Sequence, residues 1–146
     1  MITFTVWGRP QPQGSSRAFI PKGWTRAVIT SANSKNKPWR QEIAGTALAE
    51  MEKERLSLAP KGKAIAIEAN FIFTKPKSTK KSEVYKVTKP DTDKLVRSLL
   101  DALTGIVFAD DSQVVQIVAS KNFGAPEKVI VSVKVLEPAD SLPFLK

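Results

Sequence analysis

Ile2, Phe4 and Val6 alternate with Thr3, Thr5 and Trp7 at the start of the chain, the period of two that marks a half-buried strand. Pro10 and Pro12 forbid continued ladder pairing, so 8–17 reads as an ordered loop carrying Arg9 and Arg17. A short second strand fits 26–30, and 31–37 is a polar connector. From Pro38 the period changes to that of a helix. Trp39, Ile43, Ala44, Ala47, Leu48 and Met51 share one face, Arg40, Glu42, Glu50, Lys53 and Glu54 the other, and the pattern fades between Leu56 and Pro60. Ile65, Ile67, Ala69, Phe71 and Phe73 restore the strand period. A polar loop over 74–89 leads to a second helix over 91–103, striped by Leu95, Val96, Leu99, Leu100 and Leu103. Gly105 ends it with a left-handed cap. Ile106 to Phe108 reads as extended and Asp110-Asp111 as a turn. Strands over 113–121 and 128–136 flank Gly124-Ala125-Pro126, and 137–146 has no periodicity.

These elements predict one domain over 1–146, with 137–146 as an irregular tail. The fold class is α/β of the α+β kind: a mixed sheet of four to five strands with two main helices, in the order β-(β)-α-β-α-β-β. No internal repeat or linker divides it. A chain of 146 residues is long enough to bury a real core. No apolar run approaches the roughly 20 residues that span a bilayer, and no signal-peptide pattern opens the chain, so the expected location is cytoplasmic.

Composition then narrows the chemistry. The chain has no cysteine and no histidine. That removes thiolate and imidazole catalysis, disulfides and the usual zinc ligands. The formal net charge is +9, from 23 Lys and Arg against 14 Asp and Glu. Such a surplus suits a phosphate backbone or an anionic membrane, and no segment combines a lysine face with bulky exposed apolar groups as a membrane helix does. A nucleic acid is the better partner.

Five of the six aspartates fall between 91 and 111, with no glutamate among them. Asp91 and Asp93 lie at a helix start, where N–H groups and the helix dipole favour ionised carboxylates. Asp93, Arg97 and Asp101 follow at helical spacing, and Asp110 and Asp111 return after a short segment. Carboxylates crowded together repel unless a cation neutralises them, and oxygen-only ligands favour Mg²⁺, with Mn²⁺ as a substitute. Each acid also has a plain structural reading: Asp91 as a helix cap, Asp93 as a dipole partner or half of a surface pair with Arg97, Asp110-Asp111 as a solvated turn. The loop over 74–89 holds Lys75, Lys77, Lys80, Lys81, Lys86 and Lys89 against Glu83. It is either a solvated face or a phosphate-contacting loop. Trp7, Trp24 and Trp39 read as packing residues before base-stacking ones.

The run Lys-Pro-Asp-x-Asp-x-Leu, Leu-Asp-Ala-Leu-x-Gly and Asp-Asp-x-Gln-Val over 89–115 resembles the signature of the RusA family of Holliday junction resolvases, endodeoxyribonucleases often carried by phages and prophages. Gly-Arg-Pro within 8–17 and Pro-Trp-Arg at 38–40 extend the likeness. The resemblance implies a homodimeric, Mg²⁺-dependent enzyme that resolves four-way DNA junctions by paired nicks. It places metal ligands at Asp91, Asp93 and Asp111, with Asp110 as the neighbouring acid and Asp101 in an open, structural or catalytic, role. The family often has asparagine where this chain has Lys94, and a lysine where this chain has Arg97. Arginine keeps a positive charge beside a phosphate but moves no proton at neutral pH. Lys94 lies within one helical turn and could supply the ammonium.

The expected activity is therefore a structure-selective endonuclease in DNA recombination and repair. Asp91, Asp93, Asp111, Arg97 and Lys94 form its catalytic set; Arg9, Arg17 and the loop lysines grip the backbone, and no small-molecule cofactor or membrane takes part. Rival readings are a non-catalytic branched-DNA-binding module, a metal-dependent nuclease of another substrate class such as an RNase or flap nuclease, and an anionic-lipid-binding protein.

Overall fold

A computed structural model describes residues 1–14, 16–31 and 33–144, with the backbone alone at 16–19 and 28–31. Its elements are β1 (Ile2–Trp7), β2 (Ser16–Phe19), β3 (Val28–Ser31), α1 (Asn36–Lys53), β4 (Ala64–Phe73), α2 (Thr92–Leu103), a single 3-10 turn (Asp111–Gln113), β5 (Val114–Phe123) and β6 (Lys128–Leu136). Four strands form one mixed sheet in the order β1-β6-β4-β5. β6 is antiparallel to both its neighbours, whereas β4 and β5 run parallel.

Alternation decides which face is buried. Ile2, Phe4 and Val6, Ile67, Ala69 and Phe71, and Val129, Val131 and Val133 stand in register on one face. They share one core with Trp39, Ile43, Ala47 and Met51 of α1 and Leu95, Leu99 and Leu103 of α2. Both helices therefore cover that face. The opposite face is polar and hydrogen-bonded across strands: Thr3 Oγ1 meets Ser132 Oγ at 3.0 Å, and Ser120 and Asn122 both donate to Asn70 Oδ1. One buried polar bond joins the helices, from Asn36 Nδ2 to Ser98 Oγ at 2.8 Å, and Asn36 Nδ2 also reaches Pro12 O at 3.1 Å.

The sequence expectations hold for β1, β4, β6 and α2 and need correction elsewhere. Residues 16–19, the first two of which belong to the loop expected over 8–17, pair with β3 as a separate two-stranded hairpin, so the order is β-β-β-α-β-α-β-β. α1 starts at Asn36, two residues before Pro38, which a first turn accommodates because no helical hydrogen bond is lost where proline lacks an N–H. It stops at Lys53, short of 56–60, and Arg55 then takes a positive φ of 56°. Leu48, expected on the buried face, is 45% exposed. Trp39 packs in the core, whereas Trp7 and Trp24 are exposed. In place of the extended piece expected at 106–108, Ile106 and Val107 lie in a turn and Phe108 makes isolated bridges to Ala59 and Thr104. Gly105 does adopt a left-handed φ of 84°, and its N–H donates to Phe108 O at 2.8 Å.

Leu99 is fully buried where α2 meets the sheet. Leu99→Ala is expected to destabilise the fold by about 2–5 kcal/mol, read as a lower urea midpoint with an unchanged slope.

Candidate metal centre and nucleic-acid interface

α2 begins at a residue whose side chain is uncommitted. Asp91 occupies the N-cap position with extended backbone (φ −72°, ψ 139°), yet its carboxylate accepts no N–H from the first turn. It is half exposed, and its one ion pair among the described residues is with Lys94 Nζ at 3.6 Å. Asp93 is exposed two residues further on, within the first turn. Beside Asp91 lies a cleft of about 350 Å³, lined by Arg9, Gln13, Lys89 and Lys94 among others. Its far wall is the loop over 8–14, tied to α2 by Gln13 N–H donating to Lys94 O at 2.9 Å. Asn33 and Asn36 hold the same loop through Pro12 O, at 2.9 and 3.1 Å. Gln13 Oε1 is buried without a hydrogen-bond partner among the described residues.

Asp110 is committed. It caps the 3-10 turn, accepting from Ser112 N at 3.0 Å, while Gln113 Oε1 accepts from the N–H groups of Asp110 and Ala109, each at 2.9 Å. This reciprocal capping box continues outward, because Gln113 Nε2 donates to Pro60 O at 2.8 Å and Lys63 O at 2.9 Å. The Ser112 N–H, then side-chain hydrogen bonding with Asp111 and Ser112, lower the Asp110 pKa from its ordinary 3.8. Asp111 itself is exposed.

The two acid pairs do not meet within the chain. Val114 at the start of β5 lies beside Ile65, whereas Lys121 near its end holds the segment leading to Asp91. The rise per residue of a strand puts these places about 20 Å apart. α2, at 12 residues, runs back about 18 Å over the same ground. Accordingly, no group of three acidic side chains that could hold a metal ion occurs among the described residues. Asp101 lies further along α2, in a separate groove with Lys37 and Arg40. Asp93 and Arg97 form no ion pair among the described residues, although their spacing permits one.

The expected DNA-contacting cations divide into two groups. Lys77, Lys80, Lys81 and Lys89 are exposed, as a phosphate contact requires. Lys75 Nζ lies 5.6 Å from the Phe123 ring centroid and donates to Lys81 O at 3.5 Å. Arg9 Nη1 pairs with Glu127 Oε2 at 2.7 Å, its guanidinium stacked over Phe73, and still lines the cleft. Lys86 is a departure: it is 9% exposed, with its ammonium over the Phe73 ring and donating to Thr88 Oγ1 at 3.1 Å. Burial, then the charges of Arg9 and Lys121, lower its pKa from 10.5, and Glu127 partly offsets them. Lys86 pins the loop rather than presenting charge. The Arg17 side chain lies outside the described residues.

An uncapped carboxylate and an orphaned amide oxygen lining one cleft are donor types that a hard divalent cation takes. Sequence reasoning passed over Gln13, Gln113 and Lys121. The first and last carry no local signal; Gln113 does, since Asp110-x-x-Gln113 is a capping box.

A family model described as "Endodeoxyribonuclease RusA" matches residues 8–134. A Bacillus subtilis (strain 168) protein named "Uncharacterized protein YqaN" is 30% identical over 143 residues, spanning 91% of this chain and 95% of its own length. With its acidic helix start, basic cleft and this match across nearly every element, the chain belongs to the RusA family of Holliday junction resolvases, endodeoxyribonucleases that act on branched DNA.

Proposed function

We propose that this protein is a cytoplasmic, Mg²⁺-dependent homodimer that resolves four-way junctions by paired nicks during recombination and repair. The observation that carries the reading is the uncommitted Asp91 carboxylate in a cleft flanked by Arg9, Lys89 and Lys94, in a chain of this family. A bound Mg²⁺ polarises a phosphate oxygen and lowers the pKa of a coordinated water. Asp91 and Asp93 hold it. Lys94, displaced from Asp91, and Arg97 neutralise charge on the scissile phosphate. Arg97 acts by charge alone, since a guanidinium keeps its proton at neutral pH.

Asp111 joins this set from a second copy. β5 is an edge strand of the sheet, ten residues long and free of proline. Val115, Ile117 and Val118 along it are 57%, 37% and 36% exposed. A long apolar edge of this kind is a template for pairing with another strand. Antiparallel pairing of two β5 strands about their midpoint sets the Val114 end of one beside the Phe123 end of the other. Asp111 of each copy then approaches Asp91 and Asp93 of its mate, and the separation of about 20 Å within one chain is bridged. Asp110 remains the cap that fixes the orientation of this turn.

The reading is tested with a labelled synthetic four-way junction, incubated with Mg²⁺ or with EDTA beside flap, linear duplex and RNA substrates. Symmetric nicks in the junction that vanish with EDTA are expected; equal cleavage of RNA or flap DNA, or none at all, overturns it. Asp91→Asn should lower the nicking rate at least about 100-fold while junction binding persists. Asp91→Asn and Asp111→Asn, each inactive alone, should regain single-strand nicking when mixed, because the mixed dimer contains one intact composite site. No recovery in a demonstrated heterodimer places both acids in one subunit's site. Binding should weaken steeply between 50 and 200 mM salt and vary little with sequence.

A further inference from the structure

Lys121 lies on β5 in register with Phe71, on the face of the sheet that the helices cover. A lysine there, at the sheet's edge, sends its side chain over the rim to the loop that precedes α2. Its Nζ donates to Thr88 O at 2.8 Å and to Pro90 O at 3.0 Å. These two carbonyls bracket Lys89 and end at the residue before Asp91. The bracketed segment has few other means of fixing itself. It belongs to no strand or helix, and Pro90 has no N–H to offer. Lys86 secures the same loop from below through Thr88 Oγ1 and Phe73, so Thr88 is held on both its side chain and its carbonyl.

We propose that Lys121 is the positioning residue of the metal-binding segment: its ammonium sets the backbone from Thr88 to Pro90 and thereby the place of the Asp91 carboxylate. It touches neither metal nor DNA. This rests on the reading of Asp91 as a metal ligand. Charge-assisted bonds to neutral carbonyls are among the stronger hydrogen bonds, and losing a group that orients a metal ligand typically lowers metal affinity about 10–100-fold. Two of its three N–H groups point inward to the loop, so little of its charge is offered to a phosphate. β5 also carries the proposed dimer edge, so one strand positions the Asp91 segment and presents the mating surface.

The test measures Mn²⁺ affinity of the metal-free protein by calorimetry and, separately, junction binding in EDTA. Lys121→Met keeps the aliphatic stem and loses the donors. The Mn²⁺ dissociation constant should rise about 10–100-fold, with junction affinity in EDTA changed less than about twofold. Lys121→Arg, which can still donate to both carbonyls, should restore Mn²⁺ affinity to within about threefold of wild type. Lys121→Gln carries the same measurement if the methionine variant does not fold. Asp91→Asn is run alongside. If it loses Mn²⁺ affinity and Lys121→Met does not, the positioning role is wrong while the metal reading stands; if Asp91→Asn keeps full affinity, both fall. Weaker junction binding with a salt slope lower by about one, at unchanged Mn²⁺ affinity, makes Lys121 a phosphate contact and overturns the proposal.

Discussion

Parallel pairing of β4 with β5 obliges the chain to travel the length of the sheet between them, and α2 makes the return journey. A helix in such a crossover starts at the end where the first strand finished and stops where the second begins. Acids placed before and after α2 must therefore lie at opposite ends of the sheet. The aspartates that look like one cluster along the sequence are two pairs in space, and this follows from topology, not from side-chain detail. In the dimer proposed above, a two-fold axis through β5 reverses the ends and sets opposite acid pairs side by side.

Charge is allotted as strictly as the carboxylates. Glu127 receives Arg9 and the Thr74 N–H, and Phe73 lies beneath both Arg9 and Lys86. These contacts fix the root of the basic loop, so the exposed lysines beyond it project from an anchored base. A loop with a net positive charge repels itself. Tying two cations to an aromatic ring and a carboxylate makes order affordable without removing the charge that DNA requires.

How much of this the sequence disclosed depends on the range of the interaction. Strands β1, β4 and β6 and helix α2 show clean periods because each buries one face. The β2 strand shows none, since Ser16–Phe19 is set by its partner β3. The end of α1 is marked by a positive φ at Arg55, where no glycine signals a stop. Asp91 and Asp93 were legible as a helix start, but the failure of Asp91 to act as its cap is a matter of three-dimensional orientation. The convergence expected of Asp91, Asp93 and Asp111 assumed that a short connection brings the ends together, whereas the chain between them is a full crossover. Lys121 was invisible because a strand lysine ordinarily faces water, and its partners lie 31 and 33 residues away.

Gln113 shows what a single amide can make irreplaceable. Its oxygen closes the turn at Asp110 while its nitrogen fastens that turn to the 60–63 backbone. Glutamate would keep the oxygen's work and lose the nitrogen's; lysine would do the reverse, and asparagine lacks the reach. A turn held by both halves of one functional group loosens if either is replaced, so the backbone leading into Asp111 leans on this one side chain together with the Asp110 cap.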